Sequence, residues 1–288
     1  MTQPRQDSKT AYDIIEVTPI TGLLGAEVSG VDLAQPLDNH AFAELHRAFL
    51  AHHVLLFRDQ VLTTEQQAAF GRRFGTLNVH PYIDGLNGHP EVFTLVKEKD
   101  ATRHLGNCWH SDVSYAERPT MATMLYAIEV PPAGGDTMFT NMHAAYEALS
   151  PGMKRLLDGL EAEFSAANSP AAIIARNNAT PAGSAARPEI KVVHHPVVRT
   201  HPETGRKALY VNPVHTVGLK DMTAAESRGI LEFLYAHSVL PEFTCRLRWT
   251  PGALALWDNR STMHYAVNDF SGHRREMRRV TVDGDRPV

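Results

Sequence analysis

Residues 242–282 read EFTCRLRWTPGALALWDNRSTMHYAVNDFSGHRREMRRVTV, and their periodicity decides the fold class. The first eight alternate Phe243, Cys245, Leu247 and Trp249 against Thr244, Arg246 and Arg248, the period of two of a strand with one buried face. ALALW (253–257) and EMRRVTV (276–282) add two more strand-length runs. Further back, IIEVTPI (14–20), HVLLF (53–57), EVFTLV (91–96), MATMLYAIEV (121–130) and IKVVHHPVV (190–198) are rich in β-branched and aromatic residues and end at Gly, Pro or Asn, so they also read as strands.

Helical spacing is rarer. Phe42, Leu45 and Phe49 recur at helical intervals behind a cap at Asp38 or Asn39. Helices are also expected from Thr63, from Ser150 with Pro151 in its first turn, and from Thr223, whose Glu226 stands at capping-box spacing. Many strands, few helices, no Gly-rich phosphate loop and no strict strand–helix alternation indicate a mainly β fold, a sandwich or barrel with helical insertions. A Rossmann or P-loop fold is disfavoured.

The 288 residues are 43% hydrophobic and 21% charged, as in ordinary globular chains. With 28 Lys plus Arg against 32 Asp plus Glu, the net charge of -4 lacks the basic excess that nucleic acid demands. Two cysteines, Cys108 and Cys245, make neither a disulfide framework nor a structural zinc module. No stretch approaches a membrane span and the N-terminus carries no apolar signal region. A cytoplasmic protein with a polar tail at 1–12 and one domain over 13–288 is expected. Residues 166–188, dense in Ala, Asn, Pro and Ser, read as a long loop, either a tolerated insertion or a lid over the site.

Sixteen histidines are present, so a ligand must be argued from geometry. In NCWHSDVSY, a strand would turn His110 and Asp112 to one face, an imidazole nitrogen and a carboxylate within reach of one metal ion. A lone H-x-D arises readily by chance. His264 follows in WDNRSTMHYA, with Arg275 and Arg279 11 and 15 residues beyond it. Two histidines and a carboxylate leave open positions on a metal, the arrangement of non-haem Fe(II) oxygenases, and an arginine fork suits a dicarboxylate co-substrate. Cys108, two residues before His110, reads as a buried apolar thiol rather than a ligand. His194, His195 and His201 read as structural or surface groups.

These motifs bring the chain to a resemblance. TGLLGAEVSGVDL from Thr21, RRFGTLNVHP, WHSDVSY, PPAGGDT ending at Thr137, HPVVRTHPETGRKALYVN, and WDNRSTMHYA followed by RREMRR occur in the order seen in the taurine dioxygenase family. The sequence is similar, over nearly its whole length, to these Fe(II)/2-oxoglutarate enzymes, which include alkylsulfatase and phenoxyalkanoate dioxygenases. The resemblance implies a double-stranded β-helix (jelly-roll, cupin-like) core. It also implies His110, Asp112 and His264 as iron ligands, Thr137 and Arg275 on the far carboxylate of 2-oxoglutarate, and Arg279 and His80 on an anionic substrate. Oxygen and 2-oxoglutarate would be consumed to succinate and carbon dioxide as a C–H bond is hydroxylated, with release of any sulfonate, sulfate or aryloxy group on that carbon. A homodimer or homotetramer is expected from the same resemblance.

Where the taurine enzyme places a tyrosine and an asparagine, this sequence has Ile83 and Gly106, which argues against taurine itself. Ile83, Tyr115 and Tyr210 suggest an apolar pocket for an alkyl or aryl tail, and Arg278 before Arg279 is similar to the herbicide branch. Two rival readings use the same residues. One is a zinc hydrolase on the three ligands, which leaves Arg275 and Thr137 without a task; the other is a jelly-roll anion-binding protein, which needs no metal.

Overall fold

The computed structural model describes residues 12–80, 83–101, 106–169, 173 and 191–288. The N-terminal tail except Tyr12, and residues 170–172 and 174–188 of the expected loop, lie outside the described residues.

Seven strands form the larger sheet in the order β1, β2, β3, β13, β5, β15, β4, all neighbours antiparallel except β2 and β3. They are β1 (Glu16–Pro19), β2 (Ala26–Ser29), β3 (Val54–Phe57), β4 (Val92–Lys97), β5 (Ala122–Glu129), β13 (Leu254–Asp258) and β15 (Arg275–Val282). A smaller sheet runs β12 (Thr244–Leu247), β6 (Thr137–Asn141), β14 (Thr262–Ala266), again antiparallel. Three strands, β11 (Thr216–Leu219), β7 (Glu161–Ser165) and β8 (Val192–Pro196), and the pair β9 (Val198–Thr200) and β10 (Lys207–Leu209) complete the β structure.

Alternation along the strands divides the two faces of the larger sheet. Leu55, Phe57, Leu254, Leu256, Met124, Tyr126, Val280 and Val282 pack with Leu45 and Phe49 of α1 (Asn39–His52) and Phe70 of α2 (Thr64–Arg72). On the other face, Val54, Leu56, Leu125, Ala127, Ala255, Trp257 and Met277 meet Phe139, Cys245 and Leu247 of the smaller sheet. Two sheets enclosing an apolar layer, with helices on the outer face, are the expected jelly roll with helical insertions. A further core lies between α3 (Met142–Glu147), β7, β10 and α5 (Ala224–Ser238).

The capping signals hold in detail. Asp38 caps α1, and both Thr63 and Thr223 close capping boxes, with Gln66 and Glu226. Ser150 caps α4 (Pro151–Leu157). The six-residue α3, capped by Asn141, is too short for its periodicity to show in sequence. EFTCRLRW alternates in burial as expected, but its start is a 3-10 turn at Pro241–Phe243, so the strand proper is shorter. His264 lies in a strand, β14, entered through a turn at residues 259–261. Among the described residues no helix is long and apolar enough to cross a membrane.

Candidate active site

The two sheets supply the site from opposite sides. His264 sits in β14 of the smaller sheet, and His110 meets it through an antiparallel bridge: His110 N donates to His264 O at 3.0 Å and His264 N to His110 O at 2.8 Å. The strand expected at 110–112 is absent. His110 is a single bridge residue and Asp112 opens a turn, and it is this turn, not strand alternation, that carries the carboxylate back to the imidazoles.

Asp112 Oδ1 lies 3.7 Å from both His110 Nε2 and His264 Nε2. The ligand atoms of the three residues fall within 4.8 Å of one another, a spacing one metal ion can bridge. Neighbours orient them. His110 Nδ1 is 2.8 Å from the Cys108 carbonyl, which fixes the proton there and leaves Nε2 as an acceptor. Thr123 of β5 donates to Asp112 Oδ2 at 2.8 Å, and Asn259 Oδ1 accepts from Asp112 N at 3.3 Å and from Trp257 Nε1 at 3.1 Å.

Electrostatics keep the triad in the ligand state. Burial alone would raise the Asp112 pKa, but Arg279, His264, His110 and the Thr123 hydroxyl together hold it well below the usual carboxylate range. Burial is the main cause lowering the pKa of His110 and of His264, which favours the neutral imidazole with a lone pair to give.

A cavity of about 130 Å³ opens beside the triad. Its wall includes every residue singled out for the site: His80, His110, Asp112, Thr137, His264, Arg275 and Arg279. Arg275 and Arg279 lie in β15, and Thr137 opens β6. Thr137 Oγ1 accepts from Trp249 Nε1 at 3.0 Å, which leaves its own hydrogen to donate, and the Trp249 ring centre lies 5.8 Å from the Arg275 guanidinium. Arg275 Nε and Nη2 are buried and lack partners among the described residues. Burial draws its pKa down to about 10, against the pull of Asp136. A buried guanidinium with two unpaired donors, beside a free hydroxyl, fits a carboxylate.

Arg279 Nη2 donates to Asp112 Oδ1 at 2.7 Å. The His80 ring packs 5.4 Å from Phe93, and its pKa falls to about 4 through burial and then Arg279, opposed by Asp112. Ile83, Gly106, Tyr115, Phe93, Leu95 and Leu125 make much of the remaining wall. Two expectations, those for Tyr210 and Cys108, are corrected. Tyr210 does not line the cavity: it is buried beside Phe164 and His195 under the Arg199 guanidinium, 4.9 Å from its ring centre. Arg278 points to the opposite face of β15, where it bonds Gln67, Thr64 and the Leu62 carbonyl. Cys108 is half-buried in the cavity wall rather than in the core, because it stands two residues before His110 in a segment that lines the cavity.

Sequence reasoning missed His215, Asn259 and Trp249. His215, in the cavity wall 6.4 Å ring to ring from His110, is held by Ser114 at 2.9 Å. Nothing in its local pattern marks it. Asn259 and Trp249 stand within the C-terminal motifs, but the bonds that tie them to Asp112 and Thr137 span more than a hundred residues.

A family model described as "Taurine catabolism dioxygenase TauD, TfdA family" matches residues 16–281. Among curated relatives, an alkylsulfatase of Acinetobacter baylyi is 33% identical over 94% of this chain and 86% of its own. The alpha-ketoglutarate-dependent 2,4-dichlorophenoxyacetate dioxygenase of Cupriavidus pinatubonensis is 35% identical over 95% and 99%. A putative alpha-ketoglutarate-dependent taurine dioxygenase from Burkholderia xenovorans superposes with a TM-score of 0.82 at 39% identity, covering 95% of this chain and 94% of that one. AAD-2, solved in complex with Mn(II) and N-oxalylglycine, does so at 0.78 and 33%, covering 95% and 98%. With its two sheets, its converging triad and these matches along nearly its full length, the chain belongs to the TauD/TfdA dioxygenase family.

Proposed function

We propose that the protein is an Fe(II)- and 2-oxoglutarate-dependent dioxygenase that hydroxylates a small anionic organic substrate, an alkyl sulfonate, a sulfate ester or an aryloxyalkanoate. His110, Asp112 and His264 hold the metal, Thr137 and Arg275 hold the far carboxylate of 2-oxoglutarate, and Arg279 with His80 receives the substrate anion. The observation that carries this reading is Arg275: a buried guanidinium with Nε and Nη2 unpaired, in the cavity that also holds the triad. A zinc hydrolase gives it no role, and an anion-binding protein gives the triad none.

When bound, iron with 2-oxoglutarate and O2 supplies the oxidising power that turns a substrate C–H into C–OH, with succinate and carbon dioxide as co-products. The chain does the positioning. Thr123 and Asn259 fix the Asp112 carboxylate, Cys108 sets the His110 tautomer, and Trp249 seats Arg275 beside Thr137. Phe93, Leu95 and Leu125 offer an apolar wall to an alkyl or aryl tail and restrict water. A hydroxylated carbon that bears sulfonate, sulfate or aryloxy then expels that group, so hydroxylation becomes cleavage. An assembly of two or four copies and a cytoplasmic setting belong to the same reading, tested by light scattering and cell fractionation.

The test is an anaerobic titration of chelator-stripped protein with Fe(II) and then 2-oxoglutarate. A visible charge-transfer band, weaker in Arg275→Ala at equal 2-oxoglutarate, is the expected result. Folded protein that gives no band would move the hydrolase and anion-binding readings ahead. His110→Ala and Asp112→Ala are each expected to abolish substrate-dependent succinate formation, and near-normal turnover in either would sink the ligand assignment.

A further inference from the structure

Asp112 has one oxygen to offer a metal, and that oxygen is already engaged. Oδ2 accepts the Thr123 hydroxyl at 2.8 Å. Oδ1 is the atom 3.7 Å from both imidazole Nε2 atoms, and it also accepts Arg279 Nη2 at 2.7 Å. A guanidinium and a divalent cation therefore draw on the same lone pairs, and their like charges repel across a buried site. Asp112 is 3% exposed, so water does little to screen them.

Arg279 has somewhere else to go. Its Nε donates to Thr281 Oγ1 at 3.3 Å and its guanidinium lies 5.6 Å from the Phe93 ring centre, so the side chain is anchored on β15 independently of Asp112. Of the five N–H donors of a guanidinium, these contacts use two, which leaves donors for an anion in the cavity it lines.

We propose that Arg279 couples the anion site to the metal site: an anionic head group draws the guanidinium off Asp112 Oδ1 and thereby tightens metal binding at His110, Asp112 and His264. This inference rests on the metal-site reading above. Coupling is reciprocal, so the metal tightens anion binding by the same factor, and the two load together.

The experiment is calorimetric titration of chelator-stripped protein with Mn(II), without 2-oxoglutarate, for the wild type, His110→Ala and Arg279→Gln. Thermal melts check that each variant is folded. Arg279→Gln is expected to bind Mn(II) about fivefold or more tighter, the lower range for coupled sites. Pentanesulfonate, a poor metal ligand that carries the anionic head, should tighten Mn(II) binding to the wild type and leave Arg279→Gln unchanged. Its uncharged counterpart pentanol should do nothing to either. Unchanged or weaker Mn(II) binding by folded Arg279→Gln overturns the coupling, as does pentanesulfonate that binds with measurable heat yet leaves Mn(II) affinity unmoved. If the wild type takes up no Mn(II), or His110→Ala takes it up equally well, the metal-site reading itself fails, a result distinct from loss of coupling alone.

Discussion

Arg275 shows how a single side chain gains meaning from its surroundings. In sequence it is one of four arginines in RREMRR. In the fold Arg274 pairs with Glu98, Glu129 and Glu276 at the surface, Arg278 is bonded to Gln67 and the Leu62 carbonyl, and Arg279 meets Asp112. Arg275 alone keeps two buried donors without partners among the described residues. A hydrogen-bonded contact to a charged group contributes about 1.5–3 kcal/mol, and the paired donors of one guanidinium on one carboxylate are counted together as one such contact. Arg275→Ala should therefore raise the KM for 2-oxoglutarate by about 10–100-fold, measured by succinate release. An unchanged KM would show that the co-substrate carboxylate binds elsewhere.

At the scale of elements, the turn into β6 is what brings Thr137 to the cavity. Gly134 and Gly135 adopt φ of +78° and +70°, and Gly135 N donates to Asp269 Oδ1 at 2.7 Å, which ties the turn to the segment that leads into β15. A Cβ on Gly134 would stand 2.5 Å from Asp269 Oδ1 and 2.8 Å from its carbonyl oxygen. Both strain and collision follow. Gly134→Ala is expected to cost about 2–3 kcal/mol, since strained backbone alone costs of order 1–3. Gly159 has a similar φ of +76° with open space around it, so Gly159→Ala should cost only about 1–2 kcal/mol, the left-handed penalty. Urea unfolding of both variants decides; equal losses would remove the role given to Asp269.

For the whole molecule, buried histidines set the response to acid. Burial first, and neighbouring positive charge after it, lowers His53 to about 3 and His143 to about 4, against 6.5 for a free imidazole. Both stay neutral in the fold while the unfolded chain takes up protons below 6.5. Stability should then fall as pH drops from 6.5 towards 4, by about 1.4 kcal/mol per pH unit for each histidine. Asp112 and Asp258 act in the same direction at lower pH: their folded values are depressed below 3.8, so their contribution is complete above that value and is lost only beneath it. Urea midpoints between pH 6.5 and 4.5 test this, and His143→Gln should flatten the slope by about one proton. A midpoint constant over that range would sink the account.

Local physics alone determined the β class, the helix starts at Asp38, Thr63, Ser150 and Thr223, and the alternation around Cys245 and Leu247, because caps and periodicity act over a few residues. The family motifs likewise made His110, Asp112, His264, Thr137, Arg275, Arg279 and His80 legible, and all seven line one cavity. Only the tertiary structure decided how they meet. Asp112 reaches the imidazoles through a turn rather than a strand, and Thr123 of β5, Asn259 of the turn after β13 and Trp249 after β12 hold the site. Arg278 falls on the far side of β15, and Tyr210, just past β10, packs under Arg199 instead of in the cavity. Which side of a strand faces the cavity depends on the partner sheet, and the contacts that decide it reach beyond the few residues that caps and periodicity span.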